Sequence, residues 1–154
     1  MFLYLMQHAE ALSKEEDPSR SLSEKGIKDA KKIASFSRGL NIAPHQIFHS
    51  GKMRALQTAQ LMTDRVNADM GVLESDGLAP MDDPEMWFGR LSKMDEDILI
   101  VGHLPYLSKL ASLLLCRDKE SSLINFEMGS IVCLKKMEEF KWMVEWMMKP
   151  GMLR

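Results

Sequence analysis

The chain has 154 residues, of which 45% are hydrophobic and 27% are charged. These values are ordinary for a soluble globular protein, and the length fits a single domain spanning residues 1–154. The formal net charge of −2 excludes a strongly cationic nucleic-acid binder. No apolar run approaches the roughly 18 residues of a membrane span, and the N-terminus lacks the features of a secretory signal. We therefore expect a cytoplasmic protein that binds neither nucleic acid nor membrane.

The first ten residues combine a buried strand with a reactive side chain. Five of the first six residues are large and apolar, and Gln7 and His8 follow at once. A short apolar run that ends in this way is typical of a buried strand. In open α/β sheets the chemistry lies just beyond the carboxyl ends of the strands. The pattern therefore predicts a functional role for His8.

A polar loop and a helix follow this strand. Residues 13–20 show no hydrophobic periodicity and contain a proline, which indicates a surface loop near the site. Ser23 is a good N-cap for a helix that ends at Gly39. Gly26 lies in the first turn of that helix, where glycine costs about 1 kcal/mol relative to alanine. Its presence there indicates close packing or a nearby ligand.

The middle of the chain alternates short strands and helices. Residues 46–49 form a predicted strand, and Ser50-Gly51 is predicted to open a second helix. The apolar face of that helix is predicted to comprise Met53, Leu56, Thr58, Ala59 and Met62. A short strand is predicted at 71–74, and a proline- and aspartate-rich loop at 78–84 precedes a short helix.

The second half of the chain repeats the pattern of the first strand, an apolar run followed by a histidine. Residues 97–101 form an apolar run that ends in Gly102-His103, and a helix is predicted from Tyr106 to Cys116. Residues 130–134 and 141–146 are predicted to form a hairpin that completes one edge of the sheet. Strands that alternate with helices predict an α/β fold, a three-layer α/β/α domain with a mainly parallel central sheet.

The only cysteines, Cys116 and Cys133, both lie in apolar runs without a CxxC pair. This placement predicts buried, reduced thiols rather than a disulfide or a catalytic thiol.

Three segments can converge at one edge of the predicted sheet. They are Gln7-His8, the strand-to-helix junction that contains Ser50 and Arg54, and Gly102-His103. Two histidines and an arginine beside a helix N-terminus form an anion site, because free backbone N–H groups and the helix dipole both favour phosphate. We therefore expect a phosphate or sulfate ion to bind between His8, Arg54 and His103, with no metal and no cofactor.

These segments resemble the motifs of the histidine phosphatase superfamily, and within it the small phosphohistidine phosphatases of the SixA type. The family opens with a strand followed by Arg-His-Gly/Ala, and later carries Leu-Ser/Thr-x-x-Gly, Ser-Ser-Pro-x-x-Arg-Ala-x-Gln-Thr-Ala and Val-Gly-His-x-Pro. This chain matches in the same order with Gln7-His8-Ala9, Leu22-Ser23-Glu24-Lys25-Gly26, His49-Ser50-Gly51-Lys52-Met53-Arg54-Ala55-Leu56-Gln57-Thr58-Ala59 and Val101-Gly102-His103-Leu104-Pro105. The resemblance implies a phosphoglycerate mutase-like fold.

The resemblance also implies roles for individual residues. His8 would be the nucleophile that is transiently phosphorylated, Arg54 would bind the phosphoryl oxygens, and His103 would stabilise the transition state. Phosphoryl transfer requires little beyond an aligned nucleophile and positive groups around the equatorial oxygens. A covalent intermediate divides the reaction into two easier steps.

Gln7 departs from the family, which usually has arginine before the nucleophile. Glutamine donates hydrogen bonds but brings no charge and no bidentate fork. A lost charge-assisted contact is worth about 1.5–3 kcal/mol, which slows an enzyme without abolishing it. Phosphohistidine has a better leaving group than an alcohol phosphate, so Gln7 favours phosphohistidine as the substrate.

Each of the other candidate residues has both a functional and a purely structural interpretation. Ser50 donates to the phosphate or only caps the helix, and Arg20 reaches the phosphate from its loop or is merely solvated. Asp82, Asp83 and Glu85 are candidates for the general acid that larger relatives use, or are simply turn and capping carboxylates.

Three functions are compatible with these patterns. The first is a metal-independent phosphatase that acts on a phosphohistidine-bearing protein, such as a phosphorelay or phosphotransfer protein, through phospho-His8. The second is a catalytically weak or inactive phosphate- or phosphoprotein-binding module, because of Gln7. The third is a phosphomonoesterase or mutase for a small metabolite, which would need a pocket lid that this short chain can hardly supply.

Overall fold

The computed structural model describes residues 1–138 and 140–154 and contains one six-stranded sheet. Its strands lie in the spatial order β3-β2-β4-β1-β5-β6. They are β1 (Phe2–Gln7), β2 (Gln46–His49), β3 (Val72–Glu74), β4 (Ile98–Gly102), β5 (Ile131–Glu138) and β6 (Lys141–Met148). The three pairs among β1 to β4 are parallel, and β5 joins β1 and β6 antiparallel. The prediction of a mainly parallel sheet with a terminal hairpin is confirmed.

Four α-helices cover the sheet. They are α1 (Glu24–Gly39), α2 (Met53–Thr63), α3 (Glu85–Ser92) and α4 (Tyr106–Cys116), and a short 3₁₀ turn occupies Pro150–Met152. Ser23 caps α1 as predicted, since its side chain accepts a hydrogen bond from the Gly26 amide. A Cβ atom at Gly26 would collide with the carbonyl oxygen of Glu10, which explains the glycine by close packing. No helix among the described residues is long and apolar enough to cross a membrane.

The two faces of the sheet have separate cores, which establishes the three-layer architecture. Inward side chains of α3 and α4 pack on alternate residues of the central strands, including Leu3, Leu5 and Ile100. Side chains of α1 and α2 pack on the residues between them, including Met6 and Val101. Because both faces are covered, the central strands are continuously apolar rather than alternating.

Three details differ from the sequence-based expectations. Helix α2 begins at Met53 and not at Ser50, because Gly51 adopts a φ of +87° and turns the chain before the helix starts. Met53 is 39% exposed, so the buried face of α2 is formed instead by Ala55, Thr58, Ala59 and Met62. Cys116 is exposed at the end of α4, whereas Cys133 is buried as predicted, and both thiols are free.

Sheet register brings the two histidines together. Gln7 pairs with Gly102 across the parallel strands β1 and β4, so the next residue on each strand leaves the sheet at the same edge. Those residues are His8 and His103. Strand β2 pairs with β4 on its other side, with His49 opposite Val101, so the turn that leads to α2 opens at this edge too. Parallel pairing is therefore what assembles the site.

Candidate active site

His8 is held as a neutral imidazole with one nitrogen free. Its backbone amide donates to the carbonyl of Gly102 (2.9 Å), and its Nδ1 lies 2.7 Å from the carbonyl oxygen of Ala9. A carbonyl oxygen only accepts, so Nδ1 carries the hydrogen and Nε2 keeps its lone pair. Burial lowers the pKa of His8 from 6.5 to about 4, although the bond to Ala9 opposes the shift. The ring is therefore a nucleophile at neutral pH.

His103 lies beside His8 in a different hydrogen-bonded state. The two ring centroids are 5.0 Å apart, and His103 is only 2% exposed. Its Nε2 is 2.6 Å from Ser50 Oγ, whereas its Nδ1 is buried without a partner among the described residues. Burial, followed by the proximity of His8 and Arg54, lowers its pKa to about 3. His103 is therefore uncharged in the unliganded site and can become a donor when an anion arrives.

Arg54 supplies a permanent positive charge from the first turn of α2. Its Nε is buried and has no hydrogen-bond partner among the described residues. Burial, and then the charge of Arg20, lower the pKa of the Arg54 guanidinium, which nevertheless remains ionised. Helix α2 follows strand β2, which lies beside β4 in the sheet, so Arg54 starts from the edge where the two rings lie. Its charge contributes to the lowered pKa of both His8 and His103. A guanidinium whose buried Nε has no partner among the described residues, on a helix that opens at the edge of two imidazoles, is suited to an anion.

Thr58 connects Arg54 to the nucleophile, and the sequence analysis did not identify this role. Its hydroxyl accepts from the backbone amide of Ala9 (3.0 Å) and donates to the carbonyl of Arg54 (2.7 Å). One buried side chain thus ties the residue after His8 to the helix that carries Arg54. The available signal was its position one helical turn after Arg54, on the buried face of α2.

Gln7 lies at the site but brings no charge to it. The residue is 8% exposed, and its Oε1 is buried without a partner among the described residues. Its backbone amide donates to Ser130, and its carbonyl accepts from Gly129, whose amide also contacts the carbonyl of His8 (3.1 Å each). The segment before β5 therefore supports residues 7 and 8 through backbone hydrogen bonds. No local sequence pattern predicts these bonds.

The loop arginine and the helix-entry serine also lie at the site. Arg20 is half-buried in a loop that is tied to α2 by a hydrogen bond from the Leu22 amide to Gln57 Oε1 (2.7 Å). Its charge also contributes to the lowered pKa values of His8, Arg54 and His103. Ser50 contacts His103, as described above, and its Oγ also accepts from the Lys52 amide at 3.4 Å. The structure thus brings together six of the residues selected from the sequence: Gln7, His8, Arg20, Ser50, Arg54 and His103.

The three candidate acids are engaged elsewhere. Asp82 and Asp83 each accept a hydrogen bond from a backbone amide of their own segment, at 2.9 and 3.1 Å. Glu85 is exposed in the first turn of α3. Within residues 1–138 and 140–154, none of the three makes a hydrogen bond to His8 or His103. No cluster of three or more metal-binding side chains occurs in that part of the chain either.

The fold and the paired histidines define a class of phosphoryl-transfer protein. The family model "Histidine phosphatase superfamily (branch 1)" matches residues 3–98. This chain therefore belongs to the histidine phosphatase superfamily, which indicates a phosphatase. No curated protein sequence matches the chain significantly.

Solved structures of phosphatases that are named for different substrates share the fold. The protein histidine phosphatase SixA complexed with tungstate aligns with a TM-score of 0.89 and 22% identity, covering 100% of both chains. The alpha-ribazole phosphatase of Shigella flexneri gives 0.79 and 18%, covering 97% of each chain. The phosphoserine phosphatase of Entamoeba histolytica, in complex with 3-phosphoglyceric acid, gives 0.67 and 16%, covering 95% of each. At these identities the likeness establishes the phosphoglycerate mutase-like fold, as expected from the sequence.

Proposed function

We propose that this protein is a metal-independent phosphatase that removes phosphate from phosphohistidine in a protein, through a phospho-His8 intermediate. The observation that carries the proposal is the state of His8. Its Nδ1 hydrogen is committed to Ala9, so a neutral ring keeps the lone pair of Nε2 at the sheet edge where the ring of His103 lies 5.0 Å away, centroid to centroid.

In the first step, Nε2 of His8 attacks the phosphorus atom of the substrate. A new N–P bond forms as the substrate's own N–P bond breaks, and the bonding electron pair leaves with the substrate imidazole. When the second nitrogen of that ring carries a proton, the leaving group departs as neutral imidazole. Arg54 and Arg20 balance the charge on the equatorial oxygens, and His103 donates to them once the anion raises its pKa.

In the second step, water attacks phospho-His8. The N–P bond breaks, its electron pair returns to Nε2, and inorganic phosphate leaves with the oxygen of the water. The protons of the water remain on phosphate and in solvent, so His8 is regenerated as the neutral imidazole. The sum is phosphohistidine plus water giving histidine plus phosphate.

Two features of the site favour phosphohistidine over a phosphate ester. The candidate acids Asp82, Asp83 and Glu85 make no hydrogen bond to either histidine within the described residues, and an alkoxide leaving group needs an acid more than an imidazole does. Gln7 lowers the positive charge at the site, which costs most where the transition state carries the most unbalanced charge. Both features penalise ester hydrolysis more than phosphoramidate hydrolysis.

Two other functions have support of their own. The uncharged Gln7, whose buried Oε1 has no partner within residues 1–138 and 140–154, favours a binding module that retains phosphoprotein affinity but turns over slowly. The alpha-ribazole and phosphoserine phosphatases that share the fold act on phosphate esters by name, which supports a small-molecule phosphomonoesterase.

The deciding experiment measures phosphate release from a phosphohistidine-bearing phosphotransfer protein, with phosphoserine as the ester substrate. Chelator is present throughout, and the His8→Ala variant is the matched control. We expect release from phosphohistidine at least about tenfold faster than from phosphoserine, consistent with one lost charge-assisted contact. Faster release from phosphoserine would favour the phosphomonoesterase, and phosphoprotein binding without release would favour the binding module.

A further inference from the structure

The loop that carries Arg20 is closed and tied to the active site. An isolated antiparallel bridge joins Ala11 to Leu22, so the intervening residues form a loop with a fixed base. The amide of Leu22 donates to Gln57 Oε1 (2.7 Å), three residues beyond Arg54 on α2. The loop that contains Arg20 is thus anchored on the helix that also supplies the phosphate-binding arginine.

Arg20 is held in an unusual backbone conformation. Its φ is +52°, in the left-handed region that non-glycine residues seldom adopt. Such a conformation persists only where the surroundings impose it, and it clusters at functional sites. The hydrogen bonds of the loop identify what imposes it.

Asp17 makes the bonds that define this conformation. Its carboxylate accepts from the Ser19 amide (2.9 Å), the Ser21 amide (3.0 Å) and the Ser21 hydroxyl. Its carbonyl accepts from the Arg20 amide (2.9 Å). Asp17 therefore holds Arg20 itself and both of its chain neighbours. These bonds lower the pKa of the Asp17 carboxyl, the Ser21 hydroxyl contributing most.

The side chain of Arg20 is available to an anion. Its Nε donates to the Leu12 carbonyl (3.0 Å), which orients the guanidinium, and its terminal nitrogens donate no hydrogen bond within the part of the chain that the structure describes. Arg20 takes part in none of the ion pairs found among residues 1–138 and 140–154. The carboxylate oxygens of Asp17 accept hydrogen bonds from within the loop. Asp17 therefore positions Arg20 without neutralising the charge of its guanidinium.

We propose that Asp17 is a positioning residue that holds Arg20 at the phosphoryl site, and that Arg20 supplies the positive charge that Gln7 does not. This inference rests on the proposed function only in that the pocket binds a phosphoryl group. In this chain glutamine precedes the nucleophile, so the loop arginine supplies the charge and the loop's aspartate becomes necessary for binding.

The test measures inorganic phosphate binding to the full chain by isothermal titration calorimetry. We expect Arg20→Ala to weaken binding by about ten- to hundredfold, the range of one charge-assisted contact. Asp17→Ala should weaken it by about tenfold, and Asp17→Asn by less, because an amide oxygen retains part of the acceptor set. In the Arg20→Ala background, Asp17→Ala should have no further effect.

Rescue by Gln7→Arg separates positioning from general loop damage. Charge restored at position 7 should recover most of the phosphate affinity lost in both Asp17→Ala and Arg20→Ala. A loop that had collapsed into the pocket would not be rescued in this way. Additive losses in the double variant, or no recovery with Gln7→Arg, would overturn the proposal.

Asp118 provides the matched control. Its carboxylate organises another exposed loop, accepting from the Glu120 amide (3.0 Å) and the Ser121 hydroxyl (2.8 Å). That loop follows the far end of α4, about 16 Å along the helix from the site. Asp118→Ala should leave phosphate binding unchanged.

The outcomes for the two proposals are distinguishable. Wild-type protein that binds no phosphate would overturn both. Phosphate binding without phosphohistidine turnover would overturn only the proposed function.

Discussion

His8 and His103 occupy equivalent places on neighbouring parallel strands but differ in their hydrogen bonds. Each is the first residue after its strand, each is buried, and burial is the largest influence that lowers each pKa. In His8 the Nδ1 hydrogen is bound to a carbonyl and Nε2 is free. In His103 the contact is reversed, with Nε2 against the Ser50 hydroxyl and Nδ1 unpartnered among the described residues.

This difference teaches that the ring nitrogen, and not the residue type, assigns the role. The free lone pair on the neutral ring of His8 can act as a nucleophile. The nitrogen of His103 that contacts the Ser50 hydroxyl belongs instead to a hydrogen-bond network. Two residues that look alike in the sequence are therefore expected to fail in different ways when they are changed.

The largest expected effect separates the two histidines directly. His8→Ala should lower turnover by about 10⁴-fold or more, because it removes the nucleophile, and His103→Ala by about 10²–10³-fold, because it removes a donor. Only variants that retain His8 should form a phosphoenzyme, which should be acid-labile and alkali-stable like other N–P bonds. Autoradiography after acid or alkali treatment distinguishes this species from a phosphoester on Ser50. A labelled His8→Ala protein would assign the nucleophile elsewhere.

Gln7→Arg should sharpen the comparison by adding charge beside His8. We expect alkyl phosphate hydrolysis to rise by about 10–150-fold, the value of one charge-assisted contact, and phosphohistidine hydrolysis to rise less. Steady-state kinetics of both proteins on both substrates provide the measurement. Equal gains on the two substrates would show that Gln7 is a general handicap and would remove the substrate argument.

A pH titration of stability tests the neutral state of both rings. The pKa of each histidine is lower in the folded protein, about 4 for His8 and about 3 for His103, than its ordinary value of 6.5. Below pH 6.5 the unfolded chain binds more protons, so stability falls as the pH falls through this window. Within this window, each ring should lower the free energy of unfolding by up to about 1.4 kcal/mol for each unit by which the pH falls. Urea unfolding at pH 7.5 and pH 5 measures the loss, and His8→Gln or His103→Gln should reduce it. An unchanged pH dependence in both variants would contradict the assigned neutral rings.

Ser50→Ala should have the smallest effect, and should act on one histidine only. Loss of a neutral hydrogen bond is worth about 0.5–1.5 kcal/mol, so we expect kcat/KM to fall by about 2–12-fold. The phosphoenzyme should still form on His8. Ser35→Ala, at an exposed position of α1, is the matched control and should be silent. Loss of phosphoenzyme formation in Ser50→Ala would show that Ser50 acts on the nucleophile as well.

Much of the fold was predictable because the apolar patterns are strong. Strand β2 and helix α4 have the predicted bounds, and the hairpin of β5 and β6 forms the predicted edge. The predicted start of α2 was wrong, since the chain turns at Gly51 with a positive φ before the helix begins. The predicted burial of Met53 was wrong because this first residue of α2 is 39% exposed. The prediction that Cys116 is buried was wrong, because an apolar run does not show where a helix leaves the core.

The sequence by itself determined that the residues following the parallel strands lie together, because the carboxyl ends of such strands meet at one sheet edge. It placed His8, Arg54 and His103 there. Only the tertiary structure decided which nitrogen of each histidine is free, that Thr58 joins the nucleophile's backbone to α2, and that Asp17 holds Arg20 beside them. The Thr58 contact joins segments far apart in the chain, and the bonds of His8 and Asp17 depend on local backbone dihedrals. The type of a residue does not specify either one.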